Sequence, residues 1–148
     1  MRGGFEIDES AFPLVFINVA EGADVAQLEQ FFAAYERMLS RNEPFVNVTD
    51  VSRVRARPDA LVRKRLAEWT RSIEPRVVRL SKGDARVVDN ALIRGAMTAI
   101  SWLHQHPVKQ EWFGNRDEAV AWAIERLEEA GVHVPIAARN RLALQKSV

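Results

Sequence analysis

Two hydrophobic rhythms alternate along the chain. Residues 5–8 alternate apolar and polar positions, as an edge strand does, and 13–19 form a nearly continuous β-branched and aromatic run of strand length, suited to burial on both faces. After Asp24 the period lengthens. Val25, Leu28, Phe31, Phe32, Tyr35, Met38 and Leu39 recur at three- and four-residue steps, and Asp24 with Gln27 forms a capping box that starts this helix. Asn42-Glu43-Pro44 ends it. Residues 45–49 make the next strand, and Asp50-Val51-Ser52 opens a loop at its carboxyl end. Pro58 suits the first position of a second helix, with Asp59 at the positive end of its dipole.

The apolar stripe of that helix, Val62, Leu66, Trp69, Ile73, Val77 and Leu80, continues straight across Pro75, which predicts one helix kinked there or two abutting pieces. Gly83 is placed as its stop, and 85–88 as a short strand. Asp89 or Asn90 caps a third helix whose Leu92, Ile93, Ala96, Met97, Ala99, Ile100 and Leu103 span a wide apolar arc, expected to lie against the sheet. Residues 108–113 read as the last strand, Gly114-Asn115 as a turn, and 116–130 as an amphipathic helix ended by Gly131. The order β-β-α-β-α-β-α-β-α predicts an α/β fold: a small mixed, mostly parallel five-stranded sheet with about four helices, its first strand antiparallel at an edge.

At 148 residues, with 47% hydrophobic and 28% charged side chains, the chain suits one domain with its own core. That domain is expected over 1–131, followed by a tail, 132–148, that is weakly helical at 136–144 or partly disordered. The absence of cysteine removes disulfides, thiolate metal sites and cysteine nucleophiles. No apolar run approaches the ~18 residues of a membrane span and the start lacks a signal-peptide core, so a cytoplasmic location is expected.

Charge is unevenly distributed. Residues 1–50 hold three arginines against nine carboxylates, whereas 51–86 hold eleven Lys or Arg against four carboxylates. Arg53, Arg55, Arg57, Arg63, Lys64 and Arg65 form a candidate basic face, which is either an ordinary solvated surface or a contact for an acidic partner, an acidic face of a second copy, or anionic headgroups. Nucleic acid is not expected, because no recognition motif or basic tail accompanies these residues.

The layout resembles the SpoIIAA-like domain of the bacterial STAS and Sec14-like group over about residues 5–130. The local cues are 45–52 (a strand, then Asp50-x-Ser52), Asp89-Asn90-Ala91-Leu92-Ile93-Arg94-Gly95-Ala96, and 113–122, from Phe113-Gly114-Asn115-Arg116 to Trp122. The resemblance implies a non-enzymatic module that binds proteins or apolar and anionic ligands. Anti-sigma-factor antagonists of that group are switched by phosphorylation of a serine at the start of the helix after the strand matched here by 45–49. This chain has Arg55-Ala56-Arg57-Pro58-Asp59-Ala60 there, without a hydroxyl, which leaves Ser52 beside its arginines as the alternative acceptor.

Asp50, Ser52, Arg94 and Gly95 form the candidate pocket. Arg94 stands in the first turn of its helix, where a cation is disfavoured, and Gly95 costs about 1 kcal/mol relative to alanine inside a helix. Either Arg94 receives an anion or carboxylate at the strand ends while Gly95 permits close approach, or Arg94 pairs with Asp89 or Asp50 and Gly95 packs on the sheet. Asp50 and Ser52 are equally explained by hydrogen bonds within a turn. His104 and His106 fit a helix end better than a metal site, and Trp102 is a candidate dimer or ligand contact. No catalytic motif is present, and neither a metal nor another cofactor is expected. The functional expectations are a protein-interaction module acting as a homodimer, a carrier of a small apolar or lipid ligand, with peripheral membrane contact open to either, and, last, an unrecognised hydrolase.

Overall fold

The computed structural model describes residues 4–22, 24–54, 58–103 and 106–146, without the side chains of 101–103 and 142–146. Among these, the chain forms β1 (Gly4–Ala11), β2 (Leu14–Ala20), α1 (Val25–Leu39), β3 (Phe45–Arg53), α2 (Ala60–Leu80), β4 (Ser81–Val87), α3 (Ala91–Leu103), β5 (Gln110–Phe113), α4 (Arg116–Glu129) and α5 (Ile136–Lys146). The sheet order is β1-β2-β3-β4-β5, with β1 antiparallel to β2 and each later pair parallel. The α/β class, the mixed and mostly parallel sheet and the antiparallel edge strand are as the pattern predicts.

Because consecutive parallel strands are also neighbours, crossovers of one hand deposit their helices on the same side of the sheet. Alternation along the strands then serves two layers. Leu14, Phe16, Val46, Val48, Ala85 and Val87 pack with Ala119, Val120, Ala123 and Leu127 of α4. Val15, Ile17 and Phe45 pack with Leu28, Phe32, Tyr35 and Met38 of α1 and Val62, Trp69 and Ile73 of α2. Each fully buried Leu or Phe contributes about 1.5–3 kcal/mol, so these layers hold the fold. Stacking of Phe32 on Trp69, with ring centroids 4.0 Å apart, locks α1 to α2.

Several boundaries differ from the sequence-based expectation. Asp59 caps α2, its Oδ1 accepting the Val62 N–H at 2.9 Å, and α2 runs through Pro75 as one helix. Gly83 does not end α2. Leu80 passes directly into β4, and Gly83 lies inside that strand because the Trp122 ring occupies the space of a Cβ, 2.9 Å away. Asp50 and Ser52 belong to β3, which extends to Arg53. The weakly helical stretch expected at 136–144 forms α5, which closes the α4 layer: Val134 and Ala138 are buried in the α4 cluster, and Arg141 donates to Asp8 at 3.0 Å and Ser10 at 2.7 Å.

α3 does not lie against the sheet. None of residues 91–100 is buried, and Leu92, Ile93 and Ile100 are 85%, 48% and 49% exposed. Its main packing partner is β5. The reason is chemical, because the positions that β4 and β5 present on this side include Asp84, Arg86 and Gln110, against which an apolar helix gains little by settling.

Candidate functional site

The space that α3 leaves unfilled is a half-open cavity of about 850 Å³ between α2, α3 and the sheet. Its walls are apolar: Val62, Leu66, Ile73 and Val77 from α2, Ile93 and Met97 from α3, and Ile17, Val19 and Val51 from the strands. Its floor is polar, for a simple local reason. Asn47 and Thr49 on β3, Asp84 and Arg86 on β4, and Gln110 and Trp112 on β5 sit two residues apart on adjacent parallel strands, so strand alternation brings all six to one patch.

Hydrogen bonds organise this patch. Asp84, itself buried, accepts from Thr49 Oγ1 at 3.0 Å, Arg86 Nε at 3.0 Å and Gln110 Nε2 at 3.4 Å. Arg86 also lies over the Trp112 ring, 5.6 Å from its centroid. Beside them Asn47 Nδ2 donates to the Tyr35 hydroxyl at 3.0 Å. Burial pushes the Tyr35 phenol well above its usual range against the lowering effect of the Asn47 bond, so it stays protonated. Asn47 Oδ1 and the Trp112 indole N–H are buried without partners.

The four residues expected to form a pocket are not gathered into one. Asp50 alternates onto the α4 side, where Arg116 lies 3.7 Å away, and its Oδ1 accepts the Ser52 N–H at 3.0 Å, as a turn-type contact does. Ser52 borders the cavity, but its hydroxyl joins strand ends, donating to the Val87 carbonyl at 3.4 Å and accepting from the Asp89 N–H at 3.2 Å. Arg94 pairs with neither Asp89 nor Asp50. Its Nη1 donates to the Val88 carbonyl at 2.9 Å, and the guanidinium fills the space beside Gly114, where a Cβ would come within 2.8 Å. Gly95 does not pack on the sheet: the space where its Cβ would stand is open.

Of the basic face, Arg63 and Lys64 on α2 are exposed, as is Arg53 at the end of β3. Arg65 is turned onto α1, where it bonds both carboxylate oxygens of Glu29. Arg55, Arg57 and His104 lie outside the described residues, as does the side chain of Trp102. His106 Nδ1 accepts the Val108 N–H at 3.1 Å and shapes the approach to β5. Among the described residues, no three His, Asp or Glu side chains are grouped to hold a metal ion, and no helix is long and apolar enough to cross a membrane.

The residues that sequence reasoning missed are the floor itself: Tyr35, Asn47, Thr49, Asp84, Arg86 and Gln110. A signal existed, because Asn47-x-Thr49 and Asp84-x-Arg86 each place two polar groups on one face of a strand that is otherwise buried.

Fold and site together define a small α/β domain with a mixed sheet, helices on both faces and a ligand-sized cavity beneath its third helix. No family model matches the sequence, and no curated protein does. Among solved structures it is similar to an uncharacterized protein of the DUF3478 family with a SpoIIAA-like fold from Shewanella loihica PV-4. The two share 16% sequence identity over 83% of this chain and 95% of that one, with a TM-score of 0.61. The chain is a SpoIIAA-like domain in fold.

Proposed function

We propose that this domain is a non-catalytic binding module whose cavity takes a small, largely apolar molecule. The observation that carries this reading is the cavity of about 850 Å³ on the sheet face where α3 fails to bury its own apolar residues. Binding sites for small organic molecules are of this kind, roughly 300–1,000 Å³ with mostly apolar walls and a few polar groups. The floor supports binding over turnover. The Asp84 oxygens are occupied by Thr49, Arg86 and Gln110, an arrangement that orients a ligand and offers no separate nucleophile and base.

An environment-sensitive apolar dye tests this reading. Saturable binding of one dye per chain is expected, lost in Val51→Trp, which fills the cavity from a half-buried position while circular dichroism and the urea midpoint hold. Unsaturable binding, or binding untouched by Val51→Trp, would remove the cavity as the site.

A further inference from the structure

We infer that the ligand's polar end is a neutral hydrogen-bond acceptor, a carbonyl of the ketone, aldehyde, ester or amide kind, received by Arg86 on the cavity floor. This rests on the cavity being a ligand site and follows from what the floor has left to offer. Arg86 uses Nε on Asp84, and no protein acceptor among the described residues takes the N–H groups at its Nη atoms. Its side chain is 34% exposed. The Trp112 indole N–H has no acceptor either. The Tyr35 hydroxyl accepts from Asn47 and still has its own proton to give. Against these donors stand two spare amide acceptors, Gln110 Oε1 and the buried Asn47 Oδ1. With the Asn47 amide turned end for end, Tyr35 donates to Oδ1 and the spare end becomes N–H donors, so the floor has donors in excess in either arrangement.

Charge decides between a neutral and an ionised acceptor. Asp84 and Arg86 already form a 3.0 Å ion pair, so the floor carries no net charge to neutralise a carboxylate or phosphate. The exposed carboxylates bordering the cavity, Glu21, Asp59, Glu74 and Asp89, oppose an anion further. A cationic head would meet Arg86. A carbonyl takes the Arg86 donors and brings no third charge into apolar walls, where an unpaired charge is costly.

Matched naphthalenes test this by calorimetry and by quenching of the tryptophan emission, since Trp69 and Trp112 line the cavity. The probes are 2-acetylnaphthalene, 2-ethylnaphthalene and 2-naphthoate. The acetyl compound is expected to bind at least tenfold tighter than 2-naphthoate, and its bound carbonyl stretch to move to lower wavenumber. In Arg86→Met that infrared shift disappears and the acetyl-to-ethyl affinity ratio falls at least tenfold. Arg86→Lys, which keeps the charge that Asp84 needs, is expected to lower the ratio less, and it serves if Arg86→Met fails to fold. Equal acetyl and ethyl behaviour in wild type and variant, with no infrared shift, overturns the inference and leaves the binding reading standing. Tighter binding of 2-naphthoate overturns it in favour of an anionic head. Failure of all three probes to bind removes the binding reading itself.

Discussion

Two glycines show how tertiary surroundings set the meaning of a residue type. A Cβ at Gly83 meets the Trp122 ring at 2.9 Å, so the half-buried ring must shift against its packed layer. Gly83→Ala is expected to cost about 1–3 kcal/mol, as overpacking does. At Gly95 nothing lies within 4 Å, and the helix gains a better former, so Gly95→Ala is expected to add about 0.5–1 kcal/mol. Urea midpoints check both, and equal shifts in the same direction would contradict the assignment of the two sites. Asp8 gives a pH-dependent case. Partial burial raises its pKa, but hydrogen bonds from the Ser10 hydroxyl and N–H and from Arg141 outweigh that and hold the carboxyl below its ordinary 3.8. A depressed carboxyl contributes stability above the unfolded-state value, and the contribution is lost as pH falls through the lower folded value. The stability gap between the wild type and Asp8→Asn is therefore expected at neutral pH and to close below about pH 4; a gap unchanged in acid contradicts it.

Among the elements, α3 departs from its expected packing, and α5 packs more firmly than its weak pattern suggests. α3 has the stronger apolar arc in sequence and ends exposed over a polar floor, whereas α5 has a weak pattern and ends with Ala138 in the core. The sequential sheet order accounts for the contrast. All three crossovers load one face, leaving the other to whatever follows β5, so α4 and α5 are needed to close it. Ala138→Asp buries an unpaired charge there and is expected to cost about 3 kcal/mol or more. A chain ending at residue 131 is expected to lose cooperative unfolding. If that shortened chain unfolds with the full-length urea midpoint, α5 is no part of the folding unit.

For the whole molecule, acidic and basic segments meet inside one chain before they meet between copies. Arg65 pairs with Glu29 and Arg76 with Glu36, so α2 spends part of its charge on α1. Exposed pairs of this kind are worth about 0–1 kcal/mol each, which orients the helices more than it stabilises them. What remains for a partner is smaller than composition suggests, and it includes the exposed Arg63 and Lys64. If the domain self-associates through this face, Arg63→Glu with Lys64→Glu is expected to abolish a salt-sensitive dimer in sedimentation. A dimer that survives both changes uses another surface.

The α/β class, the strand order along the chain, the Asp24–Gln27 cap and the α1 and α2 stripes follow from periods of two and three to four residues, which any local window contains. The floor of the cavity does not. Asn47, Thr49, Asp84, Arg86 and Gln110 come from three strands, and nothing local says that β3, β4 and β5 are adjacent and in register. Arg94 stood out as a cation in the first turn of a helix and Asp50 by its place at the end of a strand, yet strand alternation puts Asp50 on the α4 side and the Val88 carbonyl claims Arg94. Sequence by itself determined which segments form strands and helices and, for α1, α2 and α4, which face is buried. Only the tertiary structure decided which face α3 would find beneath it, because that face is assembled from residues more than sixty positions apart along the chain, and its polarity is what holds the cavity open.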